Sequence, residues 1–116
     1  MKFKFLNKRI TGILTIIPEN EVTFEEGIEN YNFTVAQSMK LKKVMGFDKR
    51  RIVKEGVCSS DLASFGLDYL FNNSLLKKEE IDGLLFVSQS TDYIMPATAN
   101  ILQEKFGLKR DMFCID

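Results

Sequence analysis

The chain has 116 residues, a formal net charge of zero, 45% hydrophobic and 28% charged residues, and no histidine. These values suit one soluble globular unit and exclude a global electrostatic pull toward DNA, RNA or an anionic membrane. Without histidine, no Ser-His-Asp or Cys-His catalytic pair and no His-ligated metal can be built from this chain.

Residues 10–17 (ITGILTII) are rich in β-branched side chains and end at Pro18, which predicts a first strand. Thr23 and Glu26 have the spacing of a capping box, so a short helix is expected to start there. Thr34 and Gln37 repeat that signal, and with Gly46 as a stop they predict a helix over residues 35–45. Residues 49–53 (KRRIV) read as a short strand. Ser59 or Ser60 is the expected cap of a helix reaching about Asn72, since Leu62, Phe65, Leu67, Leu70 and Phe71 recur at helical spacing. Residues 81–87 (IDGLLFV) resemble a strand buried on both faces. Pro96 fits the first turn of a further helix, where its missing N–H is not needed, and that helix runs to about Phe106 before Gly107 ends it. Residues 112–115 (MFCI) start another apolar strand.

Alternating strands and helices argue for an α/β fold, with a mixed, mostly parallel sheet and packed helices. Residues 1–116 are expected to form one partial domain truncated at its C-terminal end, because Asp116 closely follows an apolar strand and natural domains usually end at the surface. The basic start, residues 1–9, is followed by no signal-peptide core, and no apolar run approaches the roughly 20 residues of a membrane span. Two cysteines, Cys58 and Cys114, make no disulfide framework and fit a reducing compartment, so a cytoplasmic location is expected.

Several segments, taken together, resemble the 3-oxoacyl-ACP synthase III (ketoacyl synthase III) family. Ile10, Gly12 and the apolar pair before Pro18-Glu19 look like its opening strand. The run from Gly46 to Arg50, with Ile52, resembles its Gly-Ile-x-x-Arg-x-Ile segment, and Ser60-Asp61-Leu62-Ala63 resembles a Ser-Asp-Leu-Ala helix start. Ile81-Asp82-Gly83, Thr91-Asp92-Tyr93, Pro96-Ala97-Thr98-Ala99, Gln103 and Leu108 complete the pattern in order. The resemblance implies the N-terminal part of a thiolase-like fold, a homodimer, and a ping-pong acyl transfer from acyl-CoA to a cysteine, followed by condensation with malonyl-ACP. Acyl carrier protein and acyl-CoA would be its partners, with no permanently bound cofactor, metal, nucleic acid or membrane. The pathway would be fatty-acid initiation or a surface-polysaccharide or secondary-metabolite branch.

The family's catalytic Cys, His and Asn have no counterpart here, and Asp116 resembles an Asp lying a few residues before that cysteine. Met95 stands where the family places a bulky apolar side chain that reaches across the dimer into the partner's acyl pocket; the plain alternative is a loop methionine in its own core. Lys40 and Val44 occupy positions where the family commonly has a Trp and an Arg for coenzyme A, so the cofactor-binding residues stay unassigned.

The residues themselves admit plainer readings. Cys114 among Met, Phe and Ile reads as core. Cys58, before a helix start, has the better claim to a lowered thiol pKa. Lys40, Lys42, Lys43, Lys49, Arg50, Arg51 and Lys54 form a basic stretch that could dock an acidic carrier protein or simply pair with Glu19, Glu21, Glu25, Glu26 and Glu29. Asp61 suits a helix N-terminus, and turn roles suffice for Asp82 and Asp92. The alternative function is a non-catalytic carrier-docking or dimerisation module, and a third is another thiolase-fold enzyme such as hydroxymethylglutaryl-CoA synthase.

Overall fold

The computed structural model describes residues 6–116, so most of the basic start lies outside the described residues. Its elements run β1 (Asn20–Thr23), α1 (Val35–Met45), β2 (Lys49–Ile52), α2 (Ser59–Asn72), β3 (Gly83–Leu85), α3 (Thr98–Lys105) and β4 (Phe113–Ile115). The strands form two pairs: β1 with β2 antiparallel, and β3 with β4 parallel. The mixed α/β class is therefore as expected, while parallel pairing holds for one pair of the two.

Local chemistry sets both ends of α1. The Thr34 hydroxyl accepts the Gln37 N–H at 3.3 Å and the Gln37 side chain accepts the Thr34 N–H at 3.0 Å. Two otherwise orphaned donors are thereby satisfied at once. At the other end Gly46 takes the left-handed conformation, φ +72°, and its N–H bonds the Lys42 carbonyl.

Thr23 and Glu26 also form their reciprocal bonds, with the Thr23 N–H on Glu26 at 2.7 Å. The chain then makes a turn and a three-residue 3-10 segment, Ile28–Asn30, and not an α-helix. The box satisfies its donors, but Gly27 interrupts the run before a second turn can form.

Residues 10–17 are the larger departure. They form no strand, because no neighbouring strand among the described residues completes their backbone ladder. Leu14 and Ile16 lie over Gly66 of α2, within 3.6 Å of where a β-carbon would stand there, and Ile10, Ile13 and Ile17 face outward. Conversely, β1 is polar (NEVT) and pairs with β2 in a register that places Glu21 opposite Arg51.

The main core consists of Leu102, Phe106, Leu108 and Met112, with Ala63, Leu67, Phe71, Ile81, Leu84, Phe86 and Cys114 against them. A second nucleus centres on Phe24, 1% exposed, stacked on Tyr31 at 5.4 Å and tilted against Phe47 at 5.5 Å. The β3–β4 sheet is buried on one face only: Leu84 and Cys114 pack inward, whereas Leu85, Val87 and Phe113 are exposed. This corrects the expectation of a strand covered on both sides. The chain is also expanded, with a radius of gyration of 18.5 Å against about 13 Å for a compact domain of this size.

Candidate functional site

The best-defined polar construction joins the start of α2 to the loop after β3. Cys58, and not a serine, occupies the α2 cap, and its N–H donates to Asp61 Oδ2 at 2.9 Å. Ser59 and Ser60 fall inside the first turn, which leaves their hydroxyls for other partners. Ser60 Oγ donates to Asp92 Oδ2 across the gap. Ser59 Oγ and Ser88 Oγ stand 3.2 Å apart, and both reach the Ser90 carbonyl, at 3.1 and 2.7 Å. Two hydroxyl protons serve these three contacts, so two are made at a time. The Ser90 N–H donates to Ser88 Oγ at 3.1 Å and tightens the turn.

Beyond this base the chain projects outward. Tyr93, Ile94 and Met95 are 60%, 98% and 85% exposed. Met95 is thus not spent on the chain's own core. The far side of the projection is held by a second carboxylate: Asp116 accepts the Thr98 N–H at 2.5 Å and the Ala99 N–H at 2.7 Å. α3 accordingly starts at Thr98 with Ala97 as its cap, two residues after Pro96, which lies outside the first turn where it was expected. Burial pushes the Asp116 carboxyl up, but the Ala99 and Thr98 N–H groups outweigh it and hold its pKa below the usual carboxylate range.

The cysteines are placed differently from each other. Cys114 is half-buried against the main core, as a structural residue would be. Cys58 is exposed, and the expected lowering of its pKa does not occur. The Asp92 charge, partial desolvation and the Asp61 charge together push its thiol up.

Three of the seven cations of the basic stretch, Lys42, Lys49 and Arg51, pair with acidic neighbours. Lys42 bridges Glu25 at 2.7 Å and Asp48 at 2.8 Å, and these two carboxylates raise its pKa. Glu21 takes Lys49 at 2.7 Å and Arg51 at 3.0 Å. Asp82, expected only in a turn, pairs with Lys109 at 2.5 Å. Lys40 and Val44, at the positions the resemblance links to coenzyme A, line an open groove on α1 with Phe33, Gln37 and Leu41. No helix among the described residues is long and apolar enough to cross a membrane.

No model of a protein family matches this sequence. A Campylobacter jejuni protein, provisionally named 3-oxoacyl-(acyl-carrier-protein) synthase 3, is 30% identical over 117 aligned positions, covering 100% of this chain and 33% of the relative. The chain is a relative of the 3-oxoacyl-ACP synthase III enzymes, on a thiolase-like fold. It spans about a third of the length of the curated relatives it matches. A β-ketoacyl-ACP synthase III of Phocaeicola vulgatus is 30% identical across 90% of this chain and 30% of its own length. Among solved structures, a 3-oxoacyl-ACP synthase of Burkholderia xenovorans superimposes with a TM-score of 0.69 at 26% identity, covering 86% of this chain and 28% of that one. Xanthomonas campestris OleA, solved with bound lauric acid and lauroyl-CoA, gives a TM-score of 0.67 at 25% identity, covering 86% and 31%. In this ketoacyl synthase III setting, Asp92 and Asp116 acquire long-range roles that the sequence reading missed. No local spacing signals either one, because each bonds to an element far away in the chain.

Proposed function

We propose that the chain is part of a β-ketoacyl-ACP synthase III-like acyltransferase that condenses an acyl thioester with malonyl-ACP in fatty-acid or related acyl-chain synthesis, in the cytoplasm. The single observation that supports this most is the match along the whole chain to a relative of that class. In this reading an acyl group passes from coenzyme A to a cysteine thiolate, and the carbanion left by decarboxylation of the malonyl thioester attacks the acyl-enzyme. The nucleophile and its His and Asn partners are not supplied by this chain, which has no histidine and whose two cysteines are a core residue and a thiol with a raised pKa.

The chain's own contribution is to scaffold and shape the pocket. Met95 is the side chain proposed to line the acyl pocket of a second subunit in a homodimer. Its exposure on a projection held at both sides supports that role. A flexible thioether there would adapt to acyl chains of different shape. Acyl carrier protein is the proposed macromolecular partner. For the alternative of a non-catalytic carrier-docking or dimerisation module, the pairing of Lys42, Lys49 and Arg51 with carboxylates removes three of the seven cations that a carrier protein could meet.

The test is a condensation assay with acyl-CoA and malonyl-ACP, reading β-ketoacyl-ACP by mass spectrometry. No product is expected from the 116-residue chain alone, and product is expected when a polypeptide carrying the missing Cys, His and Asn is joined to it. Product from the chain alone, or none from the joined protein, overturns the proposal.

A further inference from the structure

The acyl-pocket reading of Met95 leaves open what holds Met95 in place. Ile94 and Met95 have almost no packing of their own and Tyr93 is only partly covered, so their position depends on the residues flanking them. On the α3 side the backbone is fixed by Asp116. On the α2 side the side chain of the loop that reaches across to the helix from beside the projection is Asp92, one residue before Tyr93. Ser88, Ser59 and Ser90 close the turn further back, at the exit of β3.

We propose that Asp92, acting through Ser60, is the positioning residue that fixes the Tyr93–Ile94–Met95 projection, and thereby sets which acyl chains the Met95 pocket accepts. The second half of this proposal rests on the acyltransferase reading above. The physical argument is one of pre-organisation. An exposed apolar segment on a flexible tether would sample many positions and collapse onto the chain's own apolar surface. A charge-assisted hydrogen bond next to it removes most of that freedom before any acyl chain arrives. Ser60 is a suitable anchor because it sits in the first turn of a fourteen-residue helix, whose backbone is held by its own hydrogen-bond ladder.

The experiment uses the protein expressed from its own gene and compares it with Asp92→Asn, Ser60→Ala and Ser60→Thr. The first readout is chymotryptic cleavage after Tyr93. Proteolysis needs a loop that can open, so the cleavage rate reports local freedom. Asp92→Asn and Ser60→Ala are expected to raise cleavage at Tyr93 by about tenfold, the change that one strong hydrogen bond of roughly 1.4 kcal/mol would give. Ser60→Thr, which keeps the hydroxyl, should restore the slow rate. Cleavage within α2, after Tyr69 or Phe71, serves as the control for general unfolding.

Unchanged cleavage at Tyr93 overturns the proposal. So does an equal rise at Tyr69 and Phe71, because the bond would then support the whole unit and not the projection. The second readout is acyl-chain preference, as the ratio of kcat/KM for short and long acyl-CoA, with the missing catalytic residues present. A changed ratio in Asp92→Asn supports the specificity half. A loosened projection with an unchanged ratio overturns that half and the Met95 pocket reading together, while leaving the positioning bond intact.

Discussion

Placing lysines on the outer face of the β3–β4 sheet, as Val87→Lys with Phe113→Lys, should convert a self-associating chain into one much closer to monomeric. The chain exposes 9811 Å² of surface. A compact monomer of 13.3 kDa would expose about 6,500 Å², which leaves about 3,300 Å² in excess. Two chains would together carry about 6,600 Å² of such excess, more than the roughly 2,000–5,000 Å² that obligate interfaces commonly bury over both partners. Leu85, Val87 and Phe113 contribute to it on one continuous face, next to open strand edges that invite pairing. Two ammonium groups on that face would have to be desolvated in any contact, at a cost that ordinary apolar burial does not offset. Light scattering coupled to size exclusion should give a mass well above 13.3 kDa for the parent chain, rising with concentration, and a marked fall for the double variant. A parent chain that is monodisperse at the monomer mass across micromolar concentrations would refute the reasoning.

Three further outcomes concern individual residues. Leu102→Ala, at a site 2% exposed in the main core, should cost about 2–5 kcal/mol in urea unfolding, and a loss below about 1 kcal/mol would mean that this cluster does not hold the fold. Asp116 has a folded pKa below its ordinary 3.8, so its stabilising contribution is complete above that value and is lost as pH falls through the lower folded value; in acid-unfolding curves Asp116→Asn should remove that segment, and identical curves would contradict the capping role. Cys58, with its thiol pKa raised by Asp92 first, should react with iodoacetamide at pH 8 more slowly than free cysteine, and Asp92→Asn should speed it; faster-than-free alkylation of the parent chain would contradict the geometry.

How far the sequence could be read depended on the range of the interaction involved. α1 was legible to the residue, because Thr34, Gln37 and Gly46 each act within one turn of the helix they delimit. α2 was legible from apolar spacing, α3 from Pro96 before it and Gly107 after it, and β4 from its apolar run. The first strand was not, because residues 10–17 carry the right composition but a strand also needs a neighbour, and composition does not supply one. β1 was missed for the opposite reason: Asn20, Glu21, Val22 and Thr23 have no apolar run, and their pairing is set by β2 and by Glu21 against Lys49 and Arg51. The same limit explains Cys58. A helix start on its own favours a thiolate, and only the fold brings Asp92 beside it.

The two carboxylates that frame the candidate site make the same point about function. Asp92 bonds a residue 32 positions earlier, and Asp116 bonds one 18 positions earlier. In the sequence each looks like an ordinary turn or strand-end residue. In the fold they stand on either side of one exposed segment: Asp92 ties its leading end to the Ser60 hydroxyl at the start of α2, and Asp116, just after β4, holds the start of α3 that follows it. A helix start carries unsatisfied N–H groups, so the Asp116 carboxylate gains two hydrogen bonds there and fixes a position at once, whereas Asp92 takes a hydroxyl of the first turn. On the proposed acyltransferase reading, this chain contributes to the shape of a pocket through Met95, because the bonds that flank the Tyr93–Met95 segment are made within the chain itself.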